Sequence, residues 1–208
     1  NLSLSKNTNE LFTLNNSKND YNVLKFSSLG VFDSSFGNSG IINIPNEYLN
    51  GNDAVFKETS DSKLLVSGYE KIYRFNSNGT LDTTLSGSGI LNLPLLAGES
   101  IFIDDIICLP NNSFYVITDK GDNNNYSHTT VFKYNSNGTL DTSYGVNGIS
   151  EIFSINTEIP HKALIKNDGK IIILGASFTN TWYKLFSIRL NQDGTPDNSY
   201  GVNGKIIY

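Results

Sequence analysis

Apolar residues in this chain come in short runs broken by Asn, Ser, Thr, Gly and Asp, and no stretch sustains the three-and-four spacing of an amphipathic helix. Toward the C-terminus the runs are Lys162–Lys166, Lys170–Gly175, Phe186–Leu190 and Lys205–Tyr208, which predict four short strands separated by turn residues. The same succession occurs earlier. Asn1–Lys6 with Glu10–Leu14, Val55–Thr59 with Lys63–Gly68, and Ile106–Pro110 with Ser113–Thr118 stand in corresponding places. The second run of a unit, Leu64-Leu65-Val66 or Ile171-Ile172-Ile173-Leu174, is continuously apolar, the pattern of a strand covered on both faces. Almost no helix is predicted, and each sheet is expected to stack between neighbours.

Between the third and fourth runs the chain repeats a phrase. Lys133–Gly148 has close relatives at Lys25–Gly40, Arg74–Gly89 and Arg189–Gly204, and the first glycine of each copy (Gly30, Gly79, Gly138, Gly194) recurs at steps of 49, 59 and 56 residues. A period near fifty with slack between copies belongs to supersecondary units stacked side by side. The register divides the chain into units of about 1–51, 52–103, 104–160 and 161–208, read as one domain of four quasi-identical blades. Within the phrase, Asn78-Gly79, Asn137-Gly138 and Asp193-Gly194 predict tight turns. Leu81, Leu140 and Phe32 are expected to return to the core, with Pro196 doing so less well. Asp33, Asp82, Asp141 and Asp197 are expected to accept hydrogen bonds from nearby backbone N–H groups. Phe36, Leu85, Tyr144 and Tyr200 are expected to plug the floor between blades. The phrase reads as a structural clasp. Asn135, Asn137 and Asp141 resemble the start of a calcium loop, but Asn replaces Asp at most positions and no Glu closes it, so no metal is predicted.

Composition narrows the function. The net charge of −5 makes a nucleic-acid backbone an unsuitable partner. Charged residues are 17 %, below the usual quarter, while there are 29 asparagines. The single cysteine, Cys108, sits in an apolar run and reads as a buried small hydrophobe, so no disulfide framework exists. No run is long enough to span a membrane. No signal peptide is visible, and the absence of an initiator Met points to a processed or trimmed chain. Charge-poor, Asn-rich β repeats suit an extracytoplasmic setting.

The string Arg189–Gly204, preceded by Asn167-Asp168-Gly169-Lys170 and an apolar strand ending at Gly175, resembles the delta-60 repeat of bacterial cell-surface and secreted proteins. The resemblance covers essentially the whole chain, strongest in the third and fourth copies and degraded in the first and second, where Leu85-Ser86 replaces aromatic-Gly. It implies an all-β β-propeller of four-stranded antiparallel blades in an extracytoplasmic setting, and carries no catalytic motif. The four repeats fit a four-bladed ring, half of an eight-bladed dimer, or part of a larger ring.

In such a blade the first turn and the phrase share one end, and the loops after the second and fourth strands share the other. The loop end is where the copies differ, and variable loops on a rigid scaffold are the usual place for recognition. They carry Tyr21, Tyr48, Tyr69, Phe102, Tyr126, Trp182 and Tyr183, the partner-binding candidates. Trp182 and Tyr183 could equally pack the mouth of the ring. Catalysis has thinner support. His128, His161, Glu99, Asp104, Asp105 and Glu158 fall on the loop side but show no metal-ligand spacing, and no nucleophile elbow or phosphate loop is present. The sequence thus predicts a non-catalytic interaction module without cofactor or metal. Its partner is a protein, in one form an outer-membrane or secretion assembly on which it docks as an accessory subunit. The alternative is a carbohydrate-binding or glycan-active propeller with the aromatics as stacking platforms.

Overall fold

A computed structural model describes residues 2–4, 9–16, 20–45, 54–68, 70–121, 127–154, 156–178 and 182–208. Sixteen strands and no helix occur among the described residues, in four antiparallel sheets of four strands, each joined in simple sequence order. The first sheet holds β1 (Leu2–Leu4), β2 (Leu11–Asn16), β3 (Asp20–Phe26) and β4 (Ile41–Pro45). The second holds β5 (Phe56–Glu58), β6 (Leu64–Ser67), β7 (Lys71–Phe75) and β8 (Ile90–Asn92). The third holds β9 (Ser100–Cys108), β10 (Phe114–Gly121), β11 (Ser127–Tyr134) and β12 (Ile149–Ile152). The fourth holds β13 (Thr157–Ile165), β14 (Ile171–Phe178), β15 (Tyr183–Leu190) and β16 (Lys205–Ile207). Strands β9 and β13 thus begin four residues before the unit boundaries drawn from the sequence.

The chain forms two compact units. The first comprises Asn1–Leu93 with Cys108–Asn112 and Ser136–Gly138; the second comprises Pro94–Ile107, Ser113–Asn135 and Thr139–Tyr208. In the first unit, Phe12, Leu14, Tyr21, Val23, Phe36, Ile42 and Ile44 meet Leu64, Val66, Tyr73 and Phe75 in one core cluster. In the second unit the sheets bury Phe114, Phe132, Tyr134, Tyr144, Ile173, Phe186 and Ile188.

The phrase folds as a clasp, with two differences from the sequence reading. In the Asn78-Gly79 turn only the glycine takes positive φ, +87°. Asn78 instead accepts the Thr80 N–H at 3.1 Å and the Thr80 hydroxyl at 2.8 Å on its Oδ1, fixing the turn through its side chain. Leu81 and Phe32 are about 40 % exposed rather than in the core. Each bridges back to the strand before the turn, Leu81 to Phe75 and Phe32 to Phe26, so its side chain rides on the sheet margin. Phe36, Leu85 and Tyr144 are fully buried, whereas Tyr200 is only half-buried.

Coverage of the second strand also differs between sheets. Every residue of β6 is buried, and so are Phe114 to Asp119 of β10, as continuous apolar runs demand. In β14 burial alternates instead: Ile171, Ile173 and Gly175 are buried while Leu174 is 48 % exposed. The apolar run Ile171–Leu174 is therefore covered on one face only.

Candidate functional site

The turns between second and third strands and the segments leading into each next sheet gather at one end of a four-stranded antiparallel sheet. In the second unit that end carries the β14–β15 connection, where Trp182 and Tyr183 are 72 % and 79 % exposed. Tyr183 faces Phe178 across the strand pair, ring centroids 4.6 Å apart and edge to face, which fixes its ring without covering it. Phe102, on β9, is also exposed.

Tyr21 departs from the sequence reading. It lies within β3, pairs with Ile44, and is buried in the core of the first unit, because its place in the alternation points it toward the second sheet. Tyr48, Tyr69 and Tyr126 lie outside the described residues.

The acidic and histidine candidates do not converge on one site, although Glu99 and His128 share a cluster with Lys120 and Glu151. Lys120 Nζ bridges Glu99 at 3.0 Å and Glu151 at 2.8 Å. The buried Asp105 accepts the Ala163 N–H at 3.1 Å and pairs with Lys162 at 3.1 Å. Glu158, wholly buried, pairs with Lys205 and accepts the Ser154 hydroxyl at 2.9 Å. Three carboxylates thus serve three different lysines. His161 is exposed on β13, at the bulge where the register shifts between Pro160 and Lys162. His128 is buried in β11, its ring 4.7 Å from that of Phe153 and its Nε2 3.8 Å from Glu151. Beside it Asp119 is also buried, and burial pushes its carboxyl up against the opposing influence of Ser127 and His128. Among the described residues no three His, Cys, Asp or Glu side chains group as a metal ion needs. Asp141, the carboxylate of the calcium-like loop, is occupied by Ser143 and Lys133. Cys108 is half-buried at the end of β9.

The sequence reading missed the basic residue at the head of each phrase. Lys25, Arg74, Lys133 and Arg189 pair with Asp33, Asp82, Asp141 and Asp197, at 3.3, 2.6, 2.8 and 2.6 Å. The signal was there to find, since a cation stands eight residues before the aspartate in every copy. The other aspartate oxygen accepts the N–H of the residue two positions on, Ser35, Thr84, Ser143 or Ser199, at 3.0 to 3.1 Å.

Four antiparallel blades, each locked by one phrase, make this an all-β protein of the β-propeller class. Residues 59–85, 110–144 and 166–200, in the second, third and fourth repeats, match the family described as domain of unknown function (DUF5122) beta-propeller. No curated protein sequence matches the chain. Among the described residues no helix is long and apolar enough to cross a membrane.

Proposed function

We propose that this chain is a non-catalytic, extracytoplasmic interaction module built from delta-60 repeats, which uses its variable-loop end to hold a protein partner. In the fuller form of this reading it is an accessory subunit docked on an outer-membrane or secretion assembly of a bacterium. The observation that carries the reading is the exposure of Trp182 and Tyr183 at the start of β15. Tryptophan and tyrosine are the side chains that most often dominate the energy of a protein interface. The loop-side carboxylates Glu99, Asp105 and Glu158 support the non-catalytic part, since each is ion-paired with a different lysine, Glu99 sharing Lys120 with Glu151.

The test is affinity capture from detergent-solubilised bacterial envelope with the wild-type chain and with Trp182→Ala/Tyr183→Ala. One stoichiometric envelope protein, retained by the wild type and lost with the double variant, is the expected result. Equal capture by both chains, or none by either, overturns the reading. The exposed indole also suits a sugar ring, so a glycan array with the same two chains addresses the carbohydrate alternative: tryptophan-dependent glycan binding without protein capture replaces the proposal.

A further inference from the structure

Successive blades are joined by one recurring contact. The backbone N–H after the floor residue of one phrase donates to the turn carbonyl of the next: Gly37 to Asn78 at 2.8 Å and Ser86 to Asn137 at 2.9 Å in the first unit, and Gly145 to Asp193 at 2.7 Å in the second. The turn glycine completes the joint by allowing close approach. A Cβ on Gly79 would stand 2.5 Å from Gly37 N, one on Gly138 2.5 Å from Ser86 Oγ, and one on Gly194 2.9 Å from Gly145 N.

The two halves of a fourth joint are present at opposite ends of this series. Leu29-Gly30 is the turn of the first phrase; Leu29 is 88 % exposed, and a Cβ on Gly30 would have nothing within 4 Å. Tyr200-Gly201 is the floor residue and donor of the last phrase, and Tyr200 is half-buried where Phe36, Leu85 and Tyr144 are fully covered. The sheet behind it is uncovered too. Leu174 and Leu185, at 48 % and 66 % exposure, lie with Leu164 on the face of the fourth sheet opposite to the buried Ile173, Phe186 and Ile188. In the first sheet the alternation that turns Phe12 and Val23 into the core places Leu11, Leu24 and Phe26 on the outer face, where all three are only half-buried.

From these complementary ends we infer that the fourth sheet docks on the first sheet of a second copy of this chain. Gly201 N–H of each copy then donates to the Leu29 carbonyl of the other, and Leu174 and Leu185 cover the Leu11, Leu24 and Phe26 face. Because the contact is head to tail, one such joint leaves a donor end and an acceptor end, and two copies satisfy both by closing into a pair with two identical joints. The closed pair has eight blades, the upper end of the usual propeller range. Occupancy by a second copy follows from continuity, since the chain already makes this joint three times with its own repeats. Tyr183 lies on the same face as Leu185, two residues away along β15, so this joint borders the end that carries Trp182, and the mass measurement and partner capture are read separately.

Size-exclusion chromatography with light scattering, over a dilution series of the full chain, tests it. The wild type is expected at twice the 22.9 kDa chain mass. Leu185→Glu puts a charge on the covered face, and Gly30→Asn fills the turn with a residue that tolerates left-handed backbone. Both variants are expected to halve the mass while retaining the wild-type far-ultraviolet dichroism. A wild type at the mass of one chain, a ladder of larger masses, or variants that keep the two-copy mass each overturn the inference.

Discussion

Arg74 Nε donates to Asp82 Oδ2 across 2.6 Å, and both side chains are buried. The same guanidinium donates to Thr84 Oγ1 at 3.0 Å and to the Ser136 carbonyl in the turn of the third phrase, so one cation fastens its own phrase and reaches the next. A planar fork can serve three acceptors at once where an ammonium acts as a point charge. Replacing Arg74 by Met strips Asp82 of this partner and leaves it to Lys63, 2.9 Å away. Losing one member of a buried ion pair typically costs several kcal/mol. Urea unfolding of Arg74→Met is expected to show a loss of about 3 kcal/mol, near the lower end of that range because Lys63 remains. Arg74→Lys should lose less but not recover the wild type. A loss within error of zero for both would show that the clasp does not hold the blade.

Acid should open the clasps together. Hydrogen bonds from Lys133 and Ser143 lower Asp141 to about 2 from its ordinary 3.8. Asp33 lies below its usual value through the Ser35 hydroxyl and N–H. Burial alone would raise Asp82, but Thr84, Lys63 and Arg74 outweigh it and hold it far down. A carboxylate whose folded pKa is depressed adds stability that is fully present above the unfolded value and lost as pH falls through the folded one. The contribution of the clasps is therefore expected to be flat above pH 5 and to fall steeply between about pH 4 and pH 2. Thermal melts across that range check it, and Asp141→Asn should flatten the slope measurably.

How far the sequence reveals this structure depends on which forces act locally. The four-strand unit, its turns and the aspartate after each turn are legible because alternation, Asn-Gly chemistry and short side-chain-to-backbone bonds act within a few residues. Leu81 and Phe32 were misread because apolarity alone cannot distinguish a core position from a residue lying along the sheet margin. Tyr21 was misread for a related reason: it sits beside a loop in sequence, yet its strand begins one residue earlier and turns the ring inward. Trp182 stands between β14 and β15, where the Asn180-Thr181-Trp182 stretch interrupts two apolar runs, whereas Tyr183 already belongs to β15 and the loop is shorter than the sequence reading of Ala176–Lys184. The exposure of Leu174 was not legible, since a run that is apolar on both faces reads as covered on both.

Asp119 is a place where the fold is strained by charge. Its carboxyl is buried in β10, Oδ1 has no hydrogen-bond partner, and burial raises its pKa despite Ser127 and nearby His128. A raised folded pKa means that the unfolded chain releases the proton more readily, so holding the carboxylate in the fold costs stability at neutral pH. Asp119→Asn is expected to raise stability at pH 7 by about 1 kcal/mol, the scale of an unsatisfied buried polar group. The advantage should shrink as pH falls and the native carboxyl takes up its proton. Paired melts of the two proteins at neutral and acid pH decide it, and a destabilised variant at pH 7 would mean the charge is used.

Ser86 breaks the pattern of its own repeat. It occupies the joint position held by Gly37, Gly145 and Gly201, and adopts the same left-handed backbone, φ +50° against +59°, +53° and +58°. Left-handed backbone costs an ordinary residue about 1–2 kcal/mol, and glycine returns roughly 0.5–1 kcal/mol of that in unfolded-chain entropy. Ser86→Gly therefore restores the consensus of the other three copies with an expected net gain of about 0.5–1 kcal/mol. The Ser86 N–H to Asn137 carbonyl bond is a backbone bond and survives the change. Urea unfolding should show the midpoint move upward with an unchanged slope. A downward shift would mean that the serine hydroxyl, which lies 2.5 Å from where a Cβ on Gly138 would stand, contributes packing to the joint that outweighs the backbone strain.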